Sequence, residues 1–212
     1  MRASLLILLG LLGLVSCGSG KAEAEREGSG SESTKHTDKL AREQAQFDAQ
    51  RRPEKVIEAL GIKPGSRVAD IGAGSGLLTI HLARAVAPNG KVVATDINRE
   101  VLDLLMARLS AANLAEVVEA RVVGADKPEL EANTYDAILL AEVDHYFTDP
   151  VAWLKSATAS LRPGGRIVLS NRIHRNAKSM AAAAKAGLVL KSETTPVPTH
   201  FIAVFVAPGG SK

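Results

Sequence analysis

The chain has 212 residues, of which 46% are hydrophobic and 23% charged, and 26 Lys and Arg stand against 23 Asp and Glu for a net charge of +3. That is enough apolar residue for one sizeable core and excludes a chain too polar to fold. So small a net charge, with 3% aromatics and no basic stretch interleaved with rings, argues against a nucleic-acid partner, while a single cysteine excludes an internal disulfide.

In chain order, the first segment reads as a targeting signal. Arg2 supplies a positive start, Leu5–Val15 an apolar core too short to cross a bilayer as a helix, and small residues follow. Leu14-Val15-Ser16-Cys17 resembles the bacterial lipoprotein box, which implies a signal peptide over 1–16 and lipidation of Cys17. An ordinary signal peptide with a chance cysteine is the alternative. Residues 17–37 are rich in Gly, Ser, Glu and Lys and lack apolar periodicity, so a disordered tether is expected. The expected location is the bacterial cell envelope, lipid-anchored to a membrane and facing the periplasm or exterior.

The folded domain is expected over 38–208. Asp38–Leu60 reads as helical, with Pro53 opening a new helix that Gly61 ends. From there strands and helices alternate: strand Arg67–Ile71, helix Leu77–Val86, strand Lys91–Thr95 and helix Glu100–Ala112, where Val101, Leu104, Leu105, Arg108 and Leu109 mark an inner face that is apolar apart from the arginine. Strands Glu116–Val123 and Tyr135–Ala141 follow, then a helix from Asp149-Pro150 to about Leu161, a turn at Arg162–Gly165 and strand Arg166–Ser170. Helix Ala177–Ala186 precedes two closing strands, Leu188–Thr194 and Phe201–Ala207, separated by a Pro-rich connection. This alternation predicts an α/β fold: a Rossmann-like doubly wound seven-stranded sheet, mostly parallel with an antiparallel closing strand. Ligands bind such sheets at the strands' C-terminal edge, where strand order reverses. Asp70, Asp96, Asp126, Glu142 and Asn171 all fall at or just after such ends.

Residues 68–76, Val-Ala-Asp-Ile-Gly-Ala-Gly-Ser-Gly, are the most informative stretch. A buried strand runs into Asp70, then Gly72, Ala73, Gly74 and Gly76, and the glycines let a ligand approach the main chain. The dinucleotide fingerprint places its third glycine where Leu77 stands, which counts against a nicotinamide-dependent oxidoreductase. Asp96, ending the second strand, is spaced to accept bonds from ribose hydroxyls, although it could instead cap the next helix.

The pattern D-x-G-x-G-x-G from Asp70 to Gly76, the entry at 59–76 and the turn Leu-Arg-Pro-Gly-Gly at 161–165 resemble the class I S-adenosylmethionine-dependent methyltransferases. The likeness is to the small-molecule type that includes the ubiquinone and menaquinone methyltransferases. It implies S-adenosyl-L-methionine as cofactor and methyl transfer to a small-molecule acceptor. It places Asp70 and the loop around the methionine part, Asp96 on the ribose with Ile97 also binding the cofactor, an acid after strand three, here Asp126, near the adenine amino group, and a residue after strand four, Glu142 or Val143, against the cofactor on the substrate side. Many relatives carry Gly-Asp after strand three, whereas here Ala125 separates Gly124 from Asp126: either the loop shifts by one residue, or adenine is held by backbone amides and apolar contacts and Asp126 is a solvated loop acid ahead of Lys127-Pro128.

For the chemistry, His145 could take a proton from the nucleophile, with Asp144 doing the same or orienting it. A loop histidine that caps the next helix is the alternative. Tyr146 and Arg172 are candidate pocket residues, and Arg172, His174 and Arg175 form a basic loop. No C-x-x-C or H-E-x-x-H occurs, so no metal is expected. Export sets up a second function class, because S-adenosylmethionine is made inside cells. That class is an exported lipoprotein that binds S-adenosylmethionine or S-adenosylhomocysteine without turnover.

Overall fold

The computed structural model describes residues 38–209. Cys17, the signal segment and the tether read at 17–37 lie outside them. The chain divides into two compact units, Met1–Lys39 and Leu40–Lys212, and of the first only residues 38 and 39 are described, both helical.

Helix α1 covers residues 40–51 and breaks at Arg52, whose φ of 51° is left-handed. Pro53 then opens α2 (Pro53–Leu60), where a missing N–H costs nothing, and Gly61 closes it by donating its N–H to Ile57 and Glu58 carbonyls. Both boundaries agree with the sequence reading. The alternation that follows is β1 (Arg67–Ile71), α3 (Thr79–Val86), β2 (Lys91–Asp96), α4 (Arg99–Ala111), β3 (Val118–Val122) and β4 (Tyr135–Ala141). It continues with α5 (Pro150–Thr158), β5 (Leu161–Arg172), α6 (Asn176–Lys185), β6 (Val189–Val197) and β7 (His200–Val206).

These strands form one seven-stranded sheet in the order β3-β2-β1-β4-β5-β7-β6. Only β7 runs against the rest: it pairs antiparallel with both β5 and β6. Strand order reverses between β1 and β4, which places the switch point after Ile71 and Ala141. Side chains alternate between two cores, as the pleat requires. Val68, Val92, Ala94, Leu139 and Val168 pack with α2, α3 and α4, whereas Ala69, Val93, Ile138, Leu140 and Leu169 pack with α5 and α6. On the second face the Phe147 and Trp153 rings stack with centroids 4.4 Å apart.

Three expectations need correction. The inner face of α4 is Leu102, Leu105, Arg108 and Leu109, while Leu104 is 44% exposed. The expected start of the third strand is a 3-10 turn, Ala115–Val117, so β3 begins only at Val118. The Pro-rich connection is largely strand: β6 continues through Pro196 to Val197 across a register shift. A proline is tolerated there because β6 is the sheet's edge and its outer side needs no ladder donor.

Candidate active site

Asp70 ends a strand buried on both faces and is itself 2% exposed. Thr79 donates its hydroxyl to Asp70 Oδ2 at 2.7 Å. Burial, helped by the nearby charge of Asp96 and opposed by the Thr79 bond, pushes the Asp70 pKa up to about 6.

The loop after β1 has left-handed backbone at Gly72 (φ 65°) and Gly74 (φ 56°). A Cβ at Gly72 would lie 2.6 Å from Val143 Cγ2, so the turns after β1 and β4 touch at the switch point. A Cβ at Gly74 would meet nothing within 4 Å, so this part of the main chain faces open space. Gly76 packs against Leu105 of α4, and the Ala73 N–H donates to the Thr95 carbonyl at 2.9 Å. The Gly74 N–H donates to Asp96 Oδ2 at 3.0 Å, and Asn98 N–H donates to Asp96 Oδ1 at 3.0 Å. Asn98, not Asp96, caps α4: its side chain accepts from Glu100 and Val101. The Asp96 carboxylate thus tethers the glycine loop and retains lone pairs for a ligand. Beside it, Ile97 is 65% exposed, and Val122, the register partner of Asp96 on β3, is also exposed. They form an apolar shelf at the strand ends.

Asp126 is fully exposed and accepts from both the N–H and the hydroxyl of Thr148 at 2.8 Å. Those bonds hold it below the ordinary carboxylate range and tie the loop after β3 to the loop before α5.

Glu142 follows β4 with a left-handed φ of 55°, unusual for a side chain with a Cβ and a common mark of a functional position. Its carboxylate is ion-paired with Arg51 of α1, accepts from Arg172 Nε at 3.0 Å, and lies 3.3 Å from His200 Nε2. The His200 approach is within ion-pair reach but is not a hydrogen bond, since that nitrogen has no hydrogen-bond partner. Partial burial pushes the Glu142 pKa up, but the Arg172 bond and the Arg51 charge outweigh it and hold the group below its usual range.

Asp144 is 5% exposed, unlike an accessible base, because it accepts from Asn171 Nδ2 at 2.6 Å and from the Ser179 hydroxyl. Asn171 Nδ2 also lies 3.2 Å from His145 Nδ1, while its Oδ1 accepts the Arg172 N–H at 2.7 Å. The His145 ring lies beside the exposed Tyr146 ring, centroids 4.1 Å apart and tilted by 35°, and burial followed by the Arg175 charge lowers its pKa. Glu142, His145, Tyr146, Arg172, His174 and Arg175 line a pocket of about 260 Å³. A larger groove of about 1160 Å³ runs from the start of β5 along β6 and β7 beside α2; the Leu161–Gly165 turn lines it, but none of the candidate cofactor, catalytic or acceptor-pocket residues does.

The fold therefore brings Asp70, the glycine loop, Asp96 and Ile97 to one part of the edge, and Glu142, His145, Tyr146 and Arg172 to the neighbouring part. Asp126 stays at the periphery, and Asp144 lies beneath. Sequence reasoning missed Arg51, His200 and the role of Arg108, whose buried guanidinium donates to the Ser75 and Leu40 carbonyls. His200 had a signal: β7 runs antiparallel, so its first residue lies at the edge where the other strands end. Arg108 had one as well, as an arginine within an apolar helix face. Arg51 had none. Among the described residues no group of three or more His, Cys, Asp or Glu is arranged to hold a metal ion, and no helix is long and apolar enough to cross a membrane.

Residues 69–167 match the family model of the methyltransferase domain. Over 114 residues the chain is 35% identical to the "Ubiquinone/menaquinone biosynthesis C-methyltransferase UbiE" of Ectopseudomonas mendocina, covering 54% of this chain and 44% of that protein. The chain thus spans less than half the length of the curated relatives it matches. Among solved structures, it superposes on a SAM-dependent methyltransferase from Aquifex aeolicus with a TM-score of 0.70 at 21% identity, covering 80% of this chain and 97% of that one. Geranyl diphosphate C-methyltransferase from Streptomyces coelicolor A3(2), solved with Mg2+, geranyl diphosphate and S-adenosyl-L-homocysteine, gives 0.64 at 14% identity, covering 80% and 82%. The fold is that of the class I S-adenosylmethionine-dependent methyltransferases.

Proposed function

We propose that this chain is an S-adenosylmethionine-dependent methyltransferase acting on a small-molecule acceptor. One observation carries the reading: Gly74 turns open main chain toward the switch point while its N–H is held by Asp96, itself beside the exposed Ile97. A nucleoside fits that arrangement. Asp96 accepts from the ribose hydroxyls, Ile97 and Val122 cover the adenine ring, and Asp126 lies at its amino edge. Gly72, Ala73, Gly74 and Gly76 let the methionine part lie against backbone, with Asp70 as counter-charge for its ammonium group. When bound, S-adenosylmethionine supplies a methyl carbon on a sulfonium, displaced in line by the acceptor's lone pair. Glu142 closes the cofactor side of the acceptor pocket and is held there by Arg51 and Arg172. Asp144 works through Asn171 as a positioning residue for His145, whose ring faces the pocket with Tyr146.

The envelope location stays part of this proposal: residues 1–16 as signal peptide, Cys17 as the lipidated residue. That leader favours a second reading, a lipoprotein that binds S-adenosylmethionine or S-adenosylhomocysteine without turnover. Calorimetry with S-adenosylhomocysteine tests binding, and methyl-labelled S-adenosylmethionine tests transfer in an acceptor panel. Micromolar affinity with label in product supports the enzyme. Affinity without transfer to any acceptor supports the binder, and no heat with either compound defeats both.

A further inference from the structure

Resting on that reading, we propose that the acceptor is a small organic oxyanion, a carboxylate or phosphate monoester, whose charged oxygens are held by Arg172, Arg175 and the Nε2–H of His145.

The histidine's role follows from its neighbours. Asn171 Oδ1 accepts the Arg172 N–H, which fixes the amide's orientation. Its Nδ2 then points one hydrogen at Asp144 Oδ1 and the other at His145 Nδ1. An amide nitrogen only donates, so Nδ1 is the acceptor and the proton of neutral His145 sits on Nε2. Buried Asp144 (5% exposed), bonded also by Ser179, locks the amide in place. His145 therefore presents the pocket with a donor, which suits an anionic oxygen and not a proton to be removed.

The charges agree. Glu142 is the one carboxylate lining the pocket among the described residues, and it is already met by Arg51 and Arg172 and faced by His200. His200 is 8% exposed, and its Nε2, which has no hydrogen-bond partner, lies 3.3 Å from the same carboxylate. Arg172 commits only its Nε to Glu142, so its terminal NH2 groups make no hydrogen bond among the described residues. Arg175, half-buried on the pocket wall, makes no ion pair among them either. Arg172, Arg175 and His145 thus line one pocket of about 260 Å³, small for a ligand site and of a size for one compact anion.

The test uses full-length protein with 15N-labelled histidine rings, saturated with S-adenosylhomocysteine. It is titrated at constant ionic strength with benzoate and, separately, inorganic phosphate. The His145 signals, assigned by their loss in His145→Gln, should report the Nε2–H tautomer before titration. At least one probe should shift them saturably with a Kd below about 10 mM, and the preferred probe names the oxyanion. Arg172→Ala and Arg175→Ala should each weaken that binding at least about tenfold, and Arg172→Lys should retain part of it. An Nδ1–H tautomer, no saturation by either probe, or unchanged binding in Arg175→Ala would overturn the proposal. S-adenosylhomocysteine affinity measured on the same samples separates the two readings. If that compound binds and neither anion does, only the oxyanion assignment falls. If it does not bind, the methyltransferase reading falls, and titrations without it decide the anion site.

Discussion

Asp70 is a carboxyl whose burial works against its charge. Its folded-state pKa of about 6 stands above the ordinary 3.8, so between those values the native chain keeps a proton that the unfolded chain has released. The stability this provides is full below pH 3.8 and is lost as pH rises to about 6, roughly 3 kcal/mol in all. A ligand ammonium beside Asp70 favours the ionised form and so binds with release of that proton. Affinity for S-adenosylmethionine should therefore climb up to about tenfold per pH unit below 6 and level off above it. Calorimetry between pH 5 and 8 reads this directly, and Asp70→Asn should flatten the curve. Asp96 works at the same scale by a different route, because its two oxygens already hold Gly74 and Asn98. Asp96→Ala should weaken S-adenosylhomocysteine by about 1–3 kcal/mol, from stranded ribose hydroxyls and a loosened loop. Asp96→Asn keeps an acceptor for Gly74 and should fall between that variant and wild type. Equal affinity in all three proteins would remove Asp96 from the site.

Helix α1 is held over the glycine loop by an arginine that belongs to another helix. Arg108 is 3% exposed, and its Nε donates to the Ser75 carbonyl at 2.9 Å while an NH2 group reaches the Leu40 carbonyl at 3.0 Å. Glu43 pairs with the same guanidinium, Gln44 donates to the Leu77 carbonyl at 3.0 Å, and Asp48 meets His81 at 2.8 Å. Arg108→Met should cost about 3 kcal/mol in urea unfolding, since it removes the guanidinium's bonds to the Ser75 and Leu40 carbonyls and its pair with Glu43. It should also raise hydrogen exchange in residues 40–51 well before β1 or β4. Uniform loss of protection across the sheet would mean that Arg108 supports the core and not α1. This element also marks where sequence reasoning ran out. Strands β1 and β4 were legible because both are buried on two faces and read as apolar runs, each interrupted by a single carboxylate, Asp70 and Asp136. The phase of α4 was not. Its two possible apolar faces share Leu105, Arg108 and Leu109, and only packing on the sheet selects Leu102 over Leu104. The glycine loop and Asp96 were legible as pattern. Arg51, the Arg108 clamp and the Asn171 lock were not, because each depends on partners 26 to 91 residues away in the chain.

At the scale of the whole molecule, the candidate site draws on α1, five parallel strand ends and the one strand that returns, so it exists only in the finished sheet. Nothing in that sheet specifies where the protein works. The proposed envelope location rests on the first 17 residues alone, a charged start, an apolar run and Ser16-Cys17. The two properties should therefore separate. In a bacterial host fed labelled palmitate, the wild-type chain should carry label and partition with membranes, and Cys17→Ser should lose both. Because Cys17 takes no part in the proposed cofactor contacts, purified Cys17→Ser should bind S-adenosylhomocysteine within about twofold of wild type, less than 0.5 kcal/mol. Label persisting in the variant would end the lipoprotein reading and leave the fold's assignment untouched. Affinity lost together with the label would show that the leader segment contributes to the site, and the boundary at residue 38 would then have to move.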